Sequence, residues 1–360
     1  MKKYLFLLLV LFFARVAYAQ EPLSLSDAIR LGLQRNYGIL IENKNVETAV
    51  NNNEWGNTGR LPTVTLSAAS TNSIRNQFSE NQFFAGNLFP GFELNDQRNY
   101  AIQPGVAVNW TLFQGNRAII TKRRFDQLEA ESYKNADVVV ANTLQAIIAT
   151  YYLAVLEQER LDEFQRQLRL SQDKYEYIQT KYGLGGAITS DLLLEENNFL
   201  TDSVNFLNQQ LSLNNAYRNL NTLLVEPDLE KKYFLTDSLA VEDFTYVLDD
   251  LKAAALSDNV DLERTYLTQS VLELTTRQQR ASAVPTLTFN GGYNWNRNIS
   301  DLTSAEYEGP NADYENPPKP LLSKTGTYFA NFTLSFTLFD GQRINRAIRN
   351  AMVQEDIGNL

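Results

Sequence analysis

From Asn116 to Val225 the chain runs for more than a hundred residues without a proline. Leu, Ala, Glu, Gln and Arg dominate this stretch, and each favours helix. From Leu161 the apolar positions fall at Leu161, Phe164, Leu168, Ser171, Tyr175, Ile178 and Tyr182. Those steps alternate between three and four, which is the spacing of a seam that packs along a partner helix. One break interrupts the pattern, at Lys181-Tyr182-Gly183-Leu184-Gly185-Gly186, where glycines supply the positive φ of a tight reversal. Beyond it, Leu193, Leu200, Val204, Leu207 and Leu211 provide a second seam, expected to face the first. The segment 116–225 is therefore expected to form a very long helical hairpin. One helix from Asn116 to Lys181 would span roughly 100 Å, more than a compact globular domain needs.

Charge and composition narrow the classes that can use such a rod. A net charge of −10 makes no basic face for phosphate, so no nucleic-acid partner is expected. The run Lys122-Arg123-Arg124 reads as a solvated helix face, with lipid head-group contact as the alternative. The chain has no cysteine and no histidine, which removes disulfides, thiolate nucleophiles, ordinary zinc sites and the commonest general base. No cofactor or metal is expected. Residues 1–19 have the three parts of an export signal: Lys2-Lys3, the apolar run Leu5 to Phe13, and Ala17-Tyr18-Ala19 before cleavage ahead of Gln20. No later segment reads as a transmembrane helix, so entry into a membrane would be by strands.

The remainder is one unit used twice. A helical pattern from Leu25 to Gly59, with Ser26 and Asp27 as candidate caps, ends at Pro62. An alternating strand follows at about 62–72, then a polar stretch from Thr71 to Tyr100 that reads as a long loop. A second strand at about 103–113 precedes Gly115 and the hairpin. After a linker the pattern begins again. Asn36 corresponds to Asn259 and Pro62 to Pro285 without a gap, and Leu112-Phe113-Gln114-Gly115 returns as Leu338-Phe339-Asp340-Gly341. The repeats are expected at 20–243 and 244–360, the second with strands at about 285–296 and 327–339 and only the start of a hairpin. By comparison with the first repeat, the second stops about ninety positions short, which reads as truncation.

Strands of about ten residues with one apolar face, one polar face and aromatic ends suit an outer-membrane barrel. Trp110, Tyr293, Trp295 and Tyr328 are the candidate membrane girdle. Four strands are too few to close a barrel, and an open edge is not tolerated in lipid, so the strands must come from several copies of the chain. Asp27–Gly59 and Ala187–Val225, laid end to end, come close to the length of 116–181. Two short helices stacked beside one long one would make a tube wall continuous with such a barrel.

On these residues the chain resembles an outer-membrane efflux protein of the TolC family, over essentially all of its length after the signal. The duplicated helix–Pro–strand element carries the resemblance, with strand-to-helix turns at Pro62, Gly115, Pro285 and Gly341. So does Lys181-Tyr182-Gly183-Leu184-Gly185-Gly186-Ala187-Ile188-Thr189-Ser190-Asp191-Leu192-Leu193, which is similar to the family's hairpin-tip pattern. Lys181 replaces the usual arginine, and Gly186 stands where a larger apolar residue is common. The resemblance implies a mixed, mainly α fold that assembles as a homotrimer with a shared twelve-stranded barrel and a periplasmic helical tunnel. It also implies outer-membrane localisation and passive export. Energy would come from an inner-membrane RND or ABC transporter, through a periplasmic adaptor (membrane fusion protein) touching Leu184, Gly185 and Gly186. Asp191 reads as the cap of the returning helix.

Two other classes compete. Catalysis would need carboxylates that converge, yet Glu195-Glu196 and Asp249-Asp250 are helix neighbours that point apart. The glycine turn lacks the Gly-Lys-Ser/Thr of a phosphate loop. A trimeric coiled-coil and strand spacer, or an adhesin, shares the periodicities but does not require duplicated strand pairs.

Overall fold

The computed structural model describes residues 21–89, 91–240, 245–308, 312–313 and 315–360. The expected signal, residues 1–19, lies outside them. In chain order the elements are β1 (Glu21–Leu23), α1 (Leu25–Arg35), α2 (Tyr37–Asn52), β2 (Thr63–Ser79), β3 (Gln82–Phe84), β4 (Asn87–Phe89), β5 (Phe92–Gln114), α3 (Arg117–Gly183) and α4 (Thr189–Leu224). Then come β6 (Tyr233–Leu235), α5 (Leu248–Asp258), α6 (Val260–Arg280), β7 (Thr286–Asp301), β8 (Glu306–Glu308), β9 (Leu321–Ser335) and α7 (Arg343–Gly358). The fold is mixed and mainly α. The succession of helices, a proline, two long strands and a glycine turn into a helix occurs twice.

The chain divides into two units, described separately. The first comprises residues 21–49 and 130–266. Its core joins Ile147, Tyr151, Ala154 and Val155 of α3 to Leu213, Ala216, Tyr217, Leu220 and Leu224 of α4, with Ala28 of α1. Leu23 of β1 and Leu235 of β6 close it, the two strands pairing in parallel. β6 lies within residues 231–243, which read from sequence as a linker. Tyr151 Oη sits 2.6 Å from Asp237 Oδ2 and 2.9 Å from the Leu23 carbonyl, and the Leu25 amide donates to the same carboxylate at 2.8 Å. The hydrogen bond from Tyr151 and the Leu25 amide hold the Asp237 carboxyl below the usual carboxylate range. Burial, followed by the adjoining carboxylate, pushes Tyr151 up to about 12.

A carboxyl whose folded pKa is depressed contributes stability above its unfolded value of about 4, and that contribution is lost as pH falls through the folded pKa. Asp237→Asn is therefore expected to melt lower at neutral pH and to converge with the parent chain in acid. Thermal melts across pH check this.

Two local features differ from expectation. Ser24, rather than Ser26 or Asp27, caps α1, its Oγ accepting from the Asp27 amide at 3.2 Å. The helical stretch from Leu25 is broken at Asn36, whose Oδ1 accepts from the amides of Gly38 (2.8 Å) and Ile39 (3.3 Å). Asn259 does the same for Asp261 and Leu262 at the start of α6. The correspondence of Asn36 with Asn259 is thus a duplicated helix cap. At the other end of the hairpin, Val225 terminates α4 at φ +55, a left-handed conformation that crowds a β-branched side chain. Val225→Gly keeps the cap and removes the crowding, so it should stabilise the fold by roughly 1 kcal/mol, read as a higher Tm.

The seam of the returning helix turns the other way from the expected one. Toward α3, α4 presents Phe199, stacked on Tyr175 with ring centroids 5.9 Å apart. Further along it presents Gln209, which donates to the Glu157 carbonyl (3.1 Å) and carboxylate (2.6 Å), and then Leu213, Ala216 and Leu220. Leu193, Leu200, Val204, Leu207 and Leu211 are all more than half exposed. The helix carries two stripes of three-and-four spacing side by side, and the one buried within the chain is the less apolar at its tip end.

Helix α3 is also, among the described residues, long and apolar enough to cross a membrane by length and composition, contrary to expectation. Of its apolar stretch 28% is buried, Ile147, Tyr151, Ala154 and Val155 belonging to the core with α1, α4 and the β1–β6 pair.

The second unit, residues 50–129 and 267–360, contains an antiparallel sheet in the order β2-β5-β7-β9, with β8 pairing to β5. All four of its strands outrun the expected limits at their loop ends, β7 running on to Asp301. β2 continues to Ser79 and β5 begins at Phe92, so most of the stretch read as a loop is paired strand. Asn, Gln and Ser occupy both faces there, which erases the alternation that marks a strand without preventing the backbone ladder. β9 begins at Leu321 and stops at Ser335, leaving Phe336 to Phe339 outside the sheet.

Candidate functional site: an apolar sheet face and a helical tip

The register of the sheet collects its apolar residues into rows on one face. Nearest the helices, Phe113, Leu287 and Leu334 align, followed by Trp110, Phe289 and Phe332. Next come Val64, Val108, Gly291 and Ala330, and then Leu66, Val106, Tyr293 and Tyr328. Trp295, opposite Gly326, ends the series. Ring pairs knit the rows, with centroids 5.1 Å apart for Phe289–Phe332 and 4.6 Å for Tyr293–Tyr328. From Leu287 to Trp295 the band is roughly 27 Å along the strand. Tilted about 35–45° as barrel strands are, it spans roughly 20 Å of depth, most of the roughly 25 Å apolar belt of an outer-membrane barrel.

The opposite face alternates with it and is mostly hydroxyls and amides, with Phe329 and Leu321 as its large apolar residues. Asn109 receives a hydrogen bond from Asn290 Nδ2, and Gln97 Nε2 donates to Ser300 Oγ at 2.8 Å. No charged residue lies on this face between Thr63 and Ser73 of β2, Asn99 and Thr111 of β5, Thr286 and Ser300 of β7, or along β9. Both faces are open in the single chain, and on the apolar one Leu66 is 80% and Tyr328 84% exposed. Among the described residues the outer edges of β2 and β9 have no partner strand.

The turn residues named from sequence all lie at junctions. Pro62 and Pro285 directly precede β2 and β7, where a missing amide disturbs no ladder. Gly115 and Asn116 have φ of +54 and +59, and Gly341 and Gln342 repeat this at +69 and +67. Two consecutive left-handed residues reverse the chain from strand to helix in each repeat. In the second, Asp340 accepts from the amides of Arg343 (3.0 Å) and Ile344 (2.8 Å) and so caps α7.

Of the named aromatics, Trp110, Tyr293, Trp295 and Tyr328 all stand on the apolar face, Trp110 donating from Nε1 to the Arg60 carbonyl at 2.8 Å. Sequence reasoning missed Trp55, whose ring lies 4.5 Å below the Arg60 guanidinium. A tryptophan just ahead of the Pro62 turn was the available signal.

At the tip, the amides of Leu184, Gly185 and Gly186 donate to the carbonyls of Thr180 (3.2 Å), Tyr182 (2.9 Å) and Lys181 (2.8 Å). Gly185 takes φ +82, which a side chain would strain. The turn pushes Leu184 outward to 83% exposure. Ile188, which sequence reasoning passed over, is also exposed, one residue before α4. Asp191 lies in the first turn of α4 and accepts from the Ile188 amide at 3.5 Å, a weak cap.

No protein-family model and no curated protein matches the sequence. Solved structures do match the fold. A membrane protein from Pseudomonas aeruginosa aligns with a TM-score of 0.68 at 15% identity, over 93% of this chain and 71% of its own. The CmeC outer membrane channel of Campylobacter jejuni aligns at 0.67 and 14%, over 93% and 66%. CusC, described in terms of transmembrane channel formation, aligns at 0.66 and 12%, over 93% and 70%. The chain has the fold of these membrane proteins, an outer membrane channel among them, and spans about two thirds of their length.

Proposed function

We propose that the chain is the outer-membrane exit duct of a tripartite efflux pump or type I secretion system. The observation that carries this reading is an antiparallel sheet of four long strands with an apolar face, a largely uncharged opposite face and, among the described residues, no partner strand on either outer edge. Such a sheet satisfies its backbone in lipid only by closing with other copies, and a homotrimer supplies twelve strands. The apolar face then meets outer-membrane lipid and the amide face lines water. The stripe Leu193, Leu200, Val204, Leu207 and Leu211 supports assembly too, since it is a second seam left more than half exposed among the described residues. Transport is passive, coupled at the tip through Leu184, Gly185 and Gly186 to a periplasmic adaptor and an RND or ABC transporter of the inner membrane. No catalytic step is assigned to the chain.

Planar-bilayer recording tests the duct. Stepwise conductance from the assembled full-length protein is expected. A sealed, non-conducting trimer in every adaptor-bound state would favour an envelope spacer instead.

A further inference from the structure

Two rows beyond the last tyrosines of the apolar face, chemistry on that face changes abruptly. Arg297 of β7 stands directly opposite Lys324 of β9 in the antiparallel register, with Ile102 of β5 on the other side of Arg297. Like charges facing one another across a ladder destabilise it, and among the described residues neither cation has an ion-pair partner. The nearest acid along the same face of β7 is Asp301, four residues on. It lies opposite Arg98 and accepts from the amide and hydroxyl of Thr303. Arg98 is held by Asp96 at 3.1 Å. Arg297 is partly buried and Lys324 exposed.

The position of this pair says what it is for. It follows Trp295 by one step on the same face, and so lies just outside the aromatic row, where lipid head groups begin. It also lies toward the end of the strands that is away from their junctions with helices. We propose that Arg297 and Lys324 form a binding site for the phosphate of an anionic lipid in the outer leaflet, the guanidinium offering a two-pronged donor and the ammonium a point charge. The phosphate relieves the repulsion between the two cations and fixes the lipid beside Tyr328 and Trp295. This inference rests on the membrane reading of the sheet.

The test places the full chain in phosphatidylcholine nanodiscs doped with bisphosphorylated lipid A and measures bound lipid A by native mass spectrometry. Lipid A is expected to be retained in preference to its dephosphorylated form. Arg297→Gln combined with Lys324→Gln should weaken retention roughly thirtyfold, from the roughly fivefold that each cation contributes near an anionic surface. Arg297→Lys, which keeps the charge, should retain most of the binding, and Lys324→Gln alone covers the case in which the double variant fails to fold. Equal retention by parent and variants, or no preference for the phosphorylated lipid, overturns the site. Displacement by millimolar inorganic phosphate also overturns it, because it marks a free-anion site rather than a lipid site. Failure of the parent chain to enter the bilayer is a different result, since it removes the membrane reading and this proposal with it.

Discussion

Phe332→Arg, and more so Phe289→Arg with Phe332→Arg, is expected to abolish stable insertion into the outer membrane. The two phenylalanines are direct cross-strand partners with ring centroids 5.1 Å apart, in the second row of the apolar band. Arginine on the lipid side of a barrel costs up to about 2–4 kcal/mol, falling toward the interfaces, and the double variant places two such charges opposite one another. Asn290 and Asn331 are the adjoining pair on the other face. Asn331→Arg adds the same charge to the same strand but meets water in an assembled barrel, so it should insert almost normally. In a soluble sandwich whose apolar face packs on protein, the phenylalanine variants would unfold in solution rather than fail at the membrane. Fractionation and heat-modifiability of the barrel separate these outcomes.

The second large effect is expected at the tip. Leu184→Asp places a charge on the most exposed apolar residue of the reversal, and Gly186→Trp blocks its surface. A Cβ at Gly186 would lie 3.1 Å from Lys181 Cγ, a flexible stem that can move aside, so the turn itself survives. Gly185→Trp is a less clean change, because φ +82 adds backbone strain to the steric block. Loss of one interface hot spot costs about 2 kcal/mol, roughly thirtyfold in adaptor affinity. Export should collapse while barrel assembly in the same cells is unchanged. Normal export from Leu184→Asp and Gly186→Trp would remove the adaptor role from these residues.

How much of this was legible in the sequence depended on whether a pattern was local. The three-and-four spacing of 161–182 and the glycine turn announced the hairpin because helix period and reversal are properties of neighbouring residues. The duplication was equally plain, and it extended to Asn36 and Asn259, whose shared role as helix caps is a structural fact. The facing of α4 was not legible. Two stripes of equal period lie side by side on that helix, and the buried one includes Gln209, which is tolerated because it bonds to Glu157. The parallel β1–β6 pair joins three residues at Glu21–Leu23 to three at Tyr233–Leu235, a contact too short and too distant in the chain to leave a periodicity. In the outer halves of β2 and β5 polar residues stand on both faces, and the apolar residues that interrupt them, such as Ile74, Phe78, Leu94 and Tyr100, are too sparse to mark an alternation. For the tip, the turn geometry was readable, yet Ile188 was overlooked because it sits outside the glycine cluster.

The absence of cysteine from the chain permits the most direct test of the central claim, that one face of the sheet meets lipid and the other water. Single cysteines placed in turn at Thr327, Tyr328, Phe329, Ala330, Asn331, Phe332, Thr333 and Leu334 of β9 can be probed in outer membranes with a charged maleimide. Each can also carry a fluorophore quenched by a nitroxide lipid. The expected result is a period of two, with positions 328, 330, 332 and 334 quenched by lipid and shielded from the charged reagent. Positions 327, 329, 331 and 333 should react with the charged reagent and escape quenching. Uniform labelling along the strand, with no lipid quenching at either set, would contradict the account.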